Sequence, residues 1–245
     1  MMLTILLAIT SALAEEEAAS GFTLREIWDH SGGLAKGVIV MLALMLLASL
    51  FVAVERLIAF RSAQRRSMEL AAQIGPVLEA GDVGKALQMS RDDAYKGSYL
   101  AGMLRAGLAE LDLRLDAFGI GAAERAVEKA IGQEIAKLRR GMPILATTGS
   151  TAPFVGLFGT TFGVINAFQG MASAGAGLAA ISAGISEALI TTGVGIGVAV
   201  LGVWFFNYFT NRIDKVTEEL ASSEADFLDW AEKLVQARVE AEAAK

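Results

Sequence analysis

The sequence predicts an all-α integral membrane protein: three transmembrane helices, long helical extensions on the cytoplasmic side, and an oligomeric assembly. Composition is the first reason, since 54% of the 245 residues are hydrophobic and 20% charged, with a mean hydropathy of +0.49, too apolar for an ordinary soluble domain. Second, the charges are confined, leaving uncharged stretches at 37–54, 141–186 and 188–211. Third, the charged segments between and after them carry apolar residues at helical spacing. A net charge of −6 offers nucleic acid no general attraction, so no nucleic-acid partner is expected. With no cysteine and one histidine, thiolate chemistry, histidine-rich metal sites and histidine-paired nucleophiles are largely closed, and neither enzyme activity, metal nor cofactor is expected.

Residues 1–14 form a signal-like segment: Leu3 to Leu13 is apolar but too short to span, and Ala12-Leu13-Ala14 before Glu15 resembles a small-residue cleavage site without a basic leader. Cleaved signal and retained surface segment both remain open. Over 15–36, Phe22, Leu24, Ile27 and Trp28 share roughly one helical face, as in an interfacial periplasmic segment, with His30 a solvated surface residue. The first span is 37–55. Residues 56–140 read as a cytoplasmic helical domain broken at Gly81-Asp82 and Asp92-Asp93, with Asp82 as an N-cap. Its last helix, from Ala117, is expected to run straight into the second span. That span covers 141–172, a small-residue turn 173–184, the third span 185–211, and a helical tail 212–245 in which Leu220, Phe227, Leu228 and Trp230 alternate with charges. Such helices either bundle between subunits or pack within one chain.

Basic residues set the orientation. Arg56, Arg61, Arg65 and Arg66 follow span one, Lys137, Arg139 and Arg140 precede span two, and Arg212 and Lys215 follow span three. All three clusters lie on one side, which places the amino end in the periplasm and the carboxyl end in the cytoplasm.

Spans two and three carry small residues at helical spacing: Gly149, Gly156, Gly159 and Gly163 in the former, Gly193 and Gly197 in the latter. Small stripes let helices approach closely in lipid, where packing drives association. One hairpin contact needs fewer of them, which favours an oligomer. Polar groups sit within or beside the stripes, among them Thr148, Thr160, Thr161 and Asn166, then Glu187, Thr191 and Thr192. A carboxylate in a span is costly unless it meets water or a partner, so Glu187 is a functional candidate. A membrane threonine also satisfies itself on the carbonyl one turn back. Pro153 should loosen span two near Gly149.

The run from Pro143 through Thr147-Thr148-Gly149 and Pro153-Phe-Val-Gly-Leu-Phe-Gly-Thr160 to Gly163, with the later Gly184-Ile-Ser-Glu187-Ala-Leu-Ile-Thr-Thr192, resembles the ExbB/TolQ branch of the MotA/TolQ/ExbB proton-channel family. The resemblance is specific in spans two and three and weaker in the charged helices. It implies a pentameric ring in the bacterial inner membrane, with spans two and three lining a pore that holds the single helices of an ExbD/TolR-like partner. It also implies proton-driven work on the cell envelope, through a TonB- or TolA-like transducer. Thr160 and Thr192 match the family's pore threonines and Glu187 its span-three glutamate. Which hydroxyl of each pair, Thr160 or Thr161 and Thr191 or Thr192, faces the pore stays open, and Thr148 and Asn166 are further candidates.

One mechanistic point comes from the residues themselves. Span two and the part of span three beyond Glu187 hold no titratable carboxyl, amine or imidazole, and a threonine hydroxyl cannot store a proton at ordinary pH. A partner must therefore bring a carboxylate into the ring, and the resemblance suggests an aspartate. A secondary transporter would need broken helices and, usually, repeated halves, and three spans with no internal repeat argue against it; a structural scaffold would have no reason to keep Glu187. TonB-type import, Tol-type envelope maintenance and gliding all fit, as do H⁺ and Na⁺.

Overall fold

A computed structural model describes residues 32–174 and 178–243. The expectations for the signal-like segment, for Phe22, Leu24, Ile27 and Trp28, and for His30 lie outside these residues. Among the described residues every regular element is helical: α1 (Gly33–Glu79), α2 (Val83–Arg91), a 3₁₀ turn (Asp93–Tyr95), α3 (Tyr99–Leu113), α4 (Ala117–Leu138), α5 (Met142–Ala174) and α6 (Leu178–Ala243). Three of them, α1, α5 and α6, are long and apolar enough to cross a membrane.

The boundaries follow local chemistry. Asp82 caps α2 by accepting the Lys85 N–H, Ser98 caps α3 through Ala101, and Asp116 caps α4 through Gly119. Two expectations change. The last charged helix does not run straight into the second span, because α4 stops at Leu138 and the chain turns through Gly141, whose φ of +81° is open chiefly to glycine. Of the turn expected over 173–184, residues 173–174 and 178–184 are helical instead. Leu178, Ala179 and Ala180 favour helix, and the helix continues unbroken past Gly184. Pro153 leaves α5 continuous.

The chain divides into two compact units, each with its own core. Among the described residues, one comprises 32–49, 146–174 and 178–203. Its spans meet over Val38 and Leu42 of α1, Ala152 of α5, and Val198 and Ala199 of α6. Outward-facing apolar residues such as Leu44, Phe154 and Leu189 stay exposed, as lipid-facing or subunit-facing surface must.

The other unit comprises 50–145 and 204–243. Here the polar part of α1 packs with α2, α3, α4 and the end of α6 around Leu70, Met103, Leu108, Val127, Leu220 and Phe227. The tail of α6 therefore packs within its own chain. Gly107 makes this fit, since a Cβ there would lie 2.5 Å from the Phe227 ring and 2.7 Å from Val127. Polar ties add direction: Trp230 Nε1 donates to the Leu78 carbonyl at 2.8 Å and Tyr99 Oη to Glu219 Oε2 at 2.9 Å. Burial and then the Glu219 carboxylate push the Tyr99 phenol well above its ordinary range, so it stays a donor.

Candidate functional site: a hydroxyl pair between two spans

The contact of α5 with α6 is built from residues that have almost no side chain. A Cβ on Gly156 would lie 2.9 Å from the Thr191 carbonyl oxygen, 3.0 Å from Thr192 Cα and 3.3 Å from Gly195 Cα. One on Gly195 would lie 2.7 Å from the Ala152 carbonyl oxygen. These are backbone against backbone, with nothing flexible to move aside. The pairing continues antiparallel in both directions: Gly149 meets Val203, Gly159 meets Thr191, Gly163 meets Ala188, and Gly184 meets Ala167.

Close approach brings hydroxyls together. Thr160 Oγ1 on α5 and Thr192 Oγ1 on α6 are hydrogen-bonded to each other. Each also lies 3.2 Å from the Gly156 carbonyl oxygen, which can accept from either. Two hydroxyls carry two protons and four lone pairs. One proton is shared between them and the other serves Gly156, so lone pairs are left over. Such a pair can accept from a protonated carboxyl. By turning one hydroxyl off a 3.2 Å bond it can instead donate to a carboxylate. Both threonines are partly exposed, so a third group can reach them.

The neighbouring hydroxyls are different. Thr191 is fully buried and donates to the Ala188 carbonyl at 2.7 Å, one of the atoms that space the two helices. Thr161 is exposed on another face and satisfies itself on the Leu157 carbonyl at 2.9 Å. Thr148 is buried on the stripe of Ala152 and Gly156, and Asn166 is exposed. Glu187 stands apart from the hydroxyl pair. Five residues before Thr192, it is about 7.5 Å along the axis and about 140° around it. Its Oε1 accepts the N–H of Gly32 at 2.8 Å, at the start of α1. A carboxylate there is well matched to the exposed N–H groups and positive end of a helix.

Of the six packing glycines, Gly149, Gly156, Gly159 and Gly163 face α6. Gly193 and Gly197 face open space, with nothing within 4 Å of a Cβ at either. The face of α6 turned to α5 runs instead through Gly184, Ala188, Thr191, Gly195 and Ala199, spaced by three and four. That spacing was present in the sequence, but Gly193, Gly195 and Gly197 cannot share one face at 100° per residue.

Residues 97–222, just over half of the chain, match the family described as the MotA/TolQ/ExbB proton channel family. The chain belongs to that family. Its similarity to curated relatives falls in the ExbB/TolQ branch. It is 47% identical over 89 residues to the Tol-Pal system protein TolQ of Pseudomonas aeruginosa, covering 36% of this chain and 38% of the relative. It is 38% identical over 108 residues to the biopolymer transport protein ExbB of Xanthomonas campestris, covering 44% and 43%. The TolQ of Haemophilus influenzae is 36% identical over 96 residues, covering 39% and 42%. The chain thus spans about two fifths of the length of the curated relatives it matches. The family match takes in α3, α4, α5 and the part of α6 that carries Glu187 and Thr192.

Proposed function

We propose that this chain is the ExbB/TolQ-like subunit of an inner-membrane motor driven by the proton gradient. It acts as a pentameric ring around an ExbD/TolR-like single-span partner that supplies an intramembrane aspartate. Its amino end is periplasmic and its carboxyl end cytoplasmic, with the charged helices extending into the cytoplasm. The work it energises, through a TonB- or TolA-like transducer, is TonB-dependent import or Tol-type envelope maintenance. The names of its relatives support both.

One observation carries the reading: a neutral pair of hydroxyls, Thr160 and Thr192, joined across two spans whose one carboxylate, Glu187, stands apart from the pair near the start of span three. The pair serves a carboxyl group in either protonation state. A protonated aspartate donates to it and is neutral enough to move along an apolar wall; an ionised one is held by it. Proton entry on one side and exit on the other would then move the partner relative to the ring. Glu187 holds the outer end of span three to the start of span one and helps form the entrance.

The test is complementation and recovery of the partner complex with both proteins co-expressed. Thr160→Val and Thr192→Val keep shape and delete the hydroxyl, so the complex should form while proton-driven function falls. A lost charge-assisted hydrogen bond of about 1.5–3 kcal/mol corresponds to roughly ten- to a hundredfold. Thr161→Val should change little. Thr191→Val is a packing change and is expected to lower stability instead. Full function in both Thr160→Val and Thr192→Val, or proton conduction without a partner, overturns the reading. Since the chain has no cysteine, Gly175→Cys and Asp93→Cys report topology directly. An impermeant thiol reagent added outside should label the first and spare the second.

A further inference from the structure

Beside the hydrophobic core of the unit formed by 50–145 and 204–243 lies an open cavity of about 700 Å³, unrelated to the hydroxyl pair. Seven of the chain's 21 lysines and arginines line it, against three carboxylates, in a protein whose net charge is −6. Five separate segments contribute: Arg56 and Arg66 from α1, Arg91 from the end of α2, Lys96 from the loop before α3, Arg105 from α3, and Lys137 and Arg140 at the end of α4 and just after it.

Some of these cations are already held by the protein. Arg56 pairs with Glu55 and donates to the Lys137 carbonyl at 3.2 Å, Arg66 donates to the Lys96 carbonyl, and Lys137 pairs with Glu134 at 2.6 Å. Arg91 and Arg105 form no ion pair among the described residues and are exposed to the cavity. Ser98 and Gly102, one turn apart at the start of α3, also line it; Ser98 caps the helix through Ala101, and the Glu134 carboxylate that pairs with Lys137 lies against Gly102. Like charges gathered in a concave site repel each other, and an anion relieves that repulsion. Planar guanidinium groups match the oxygens of phosphate in particular. The volume exceeds that of a bare phosphate and falls in the range of organic ligand sites, about 300–1,000 Å³. Arg56 and Arg140 border the apolar runs of spans one and two, while Arg66 is ten residues, about 15 Å, further along α1. The cavity therefore begins at the charged ends of two uncharged runs and extends along α1.

We propose that this cavity binds a phosphate ester, either the headgroup of an anionic phospholipid or a soluble ester of the same chemistry. The test uses the purified full chain and follows its thermal unfolding. One arm titrates phosphatidylglycerol against phosphatidylcholine in mixed micelles, and the other titrates glycerol 3-phosphate against glycerol. Phosphatidylglycerol or glycerol 3-phosphate should raise Tm where its neutral counterpart does not. A response to phosphatidylglycerol alone identifies a lipid site, and a response to glycerol 3-phosphate identifies a site open to soluble esters. Arg91→Gln and Arg105→Gln should each move the titration midpoint about tenfold higher, as expected for one lost charge-assisted bond. Arg65→Gln and Arg238→Gln, outside the cavity, should leave it in place. Three results overturn the proposal: no preference for the anionic probe in either arm, an unchanged midpoint in both cavity variants, or an equal shift in the two outside variants.

Discussion

Replacing Gly156 with alanine would put a methyl group where two backbones already touch. The added carbon would stand 2.9 Å from the Thr191 carbonyl oxygen and 3.0 Å from Thr192 Cα, about half an ångström inside ordinary van der Waals contact at 3.4 Å. No side chain can rotate to make room, so α6 must move away from α5. Overpacking of this kind costs about 1–3 kcal/mol, which for a chain of this length lowers Tm by about 2–12 °C. The displacement also acts one turn along α5, where it lengthens the bonds that join Thr160, Thr192 and the Gly156 carbonyl. Gly156→Ala should therefore lose both stability and proton-driven function, whereas Thr160→Val loses function alone. The assay is thermal unfolding of the solubilised chain, followed by tryptophan fluorescence, beside complementation with the partner co-expressed. If Gly156→Ala keeps both Tm and function, the two spans are not held together by this contact, and the account of the hydroxyl pair fails with it.

Gly193→Ala and Gly197→Ala meet open space within the chain. Neither should lower the Tm of the isolated subunit, since alanine is favoured over glycine inside a helix by about 0.5–1 kcal/mol, and a fall in oligomer recovery by cross-linking would assign that face to a neighbouring copy. Glu187→Gln keeps an oxygen for the Gly32 N–H and should retain the wild-type Tm, whereas Glu187→Ala removes the tie and should lower it. Comparing their complementation then separates charge from attachment: loss in both assigns function to the charge, and loss in Glu187→Ala alone assigns it to the tie. Burial, then the nearby Glu128 and Glu124, raise the Glu224 carboxyl above its ordinary value. Its native state is favoured while it is protonated and loses that advantage as pH rises through the folded-state value. Glu224→Gln should therefore stabilise the chain at neutral pH and flatten this part of the pH–stability profile measured by thermal unfolding.

The three spans were legible because charge is so expensive in lipid that an uncharged run marks them without further knowledge. The turns are marked as strongly, once the right residues are weighed. Gly141 followed by Pro143 is a helix stop and then a helix start, with glycine supplying the positive φ and proline placed in a first turn where no N–H is needed. Treating 117–140 as continuous with span two overlooked that pair. The glycines of α6 show a different limit. Small residues on a helix say that something comes close, but only the angular position says which face it meets, and Gly193 with Gly197 lies on another face from Gly195. The contact of Glu187 with Gly32 had no sequence signal, since 155 positions separate the two residues and the bond depends on how α1 and α6 pack.

Packing and chemistry at this site are the same arrangement. Thr160 and Thr192 meet because Gly156 and Gly195 let two backbones approach within side-chain-free distance. A larger residue at either glycine would leave two isolated hydroxyls, each turned back on its own helix as Thr161 is on Leu157. A carboxylate in place of either threonine would carry its own burial cost, about 2.5–3.5 kcal/mol at mid-membrane, and would repel an ionised partner. A neutral pair that both donates and accepts has neither drawback. Under the proposed function it leaves the titratable group to a partner's helix, where a group free to move relative to the proposed ring can turn protonation into motion.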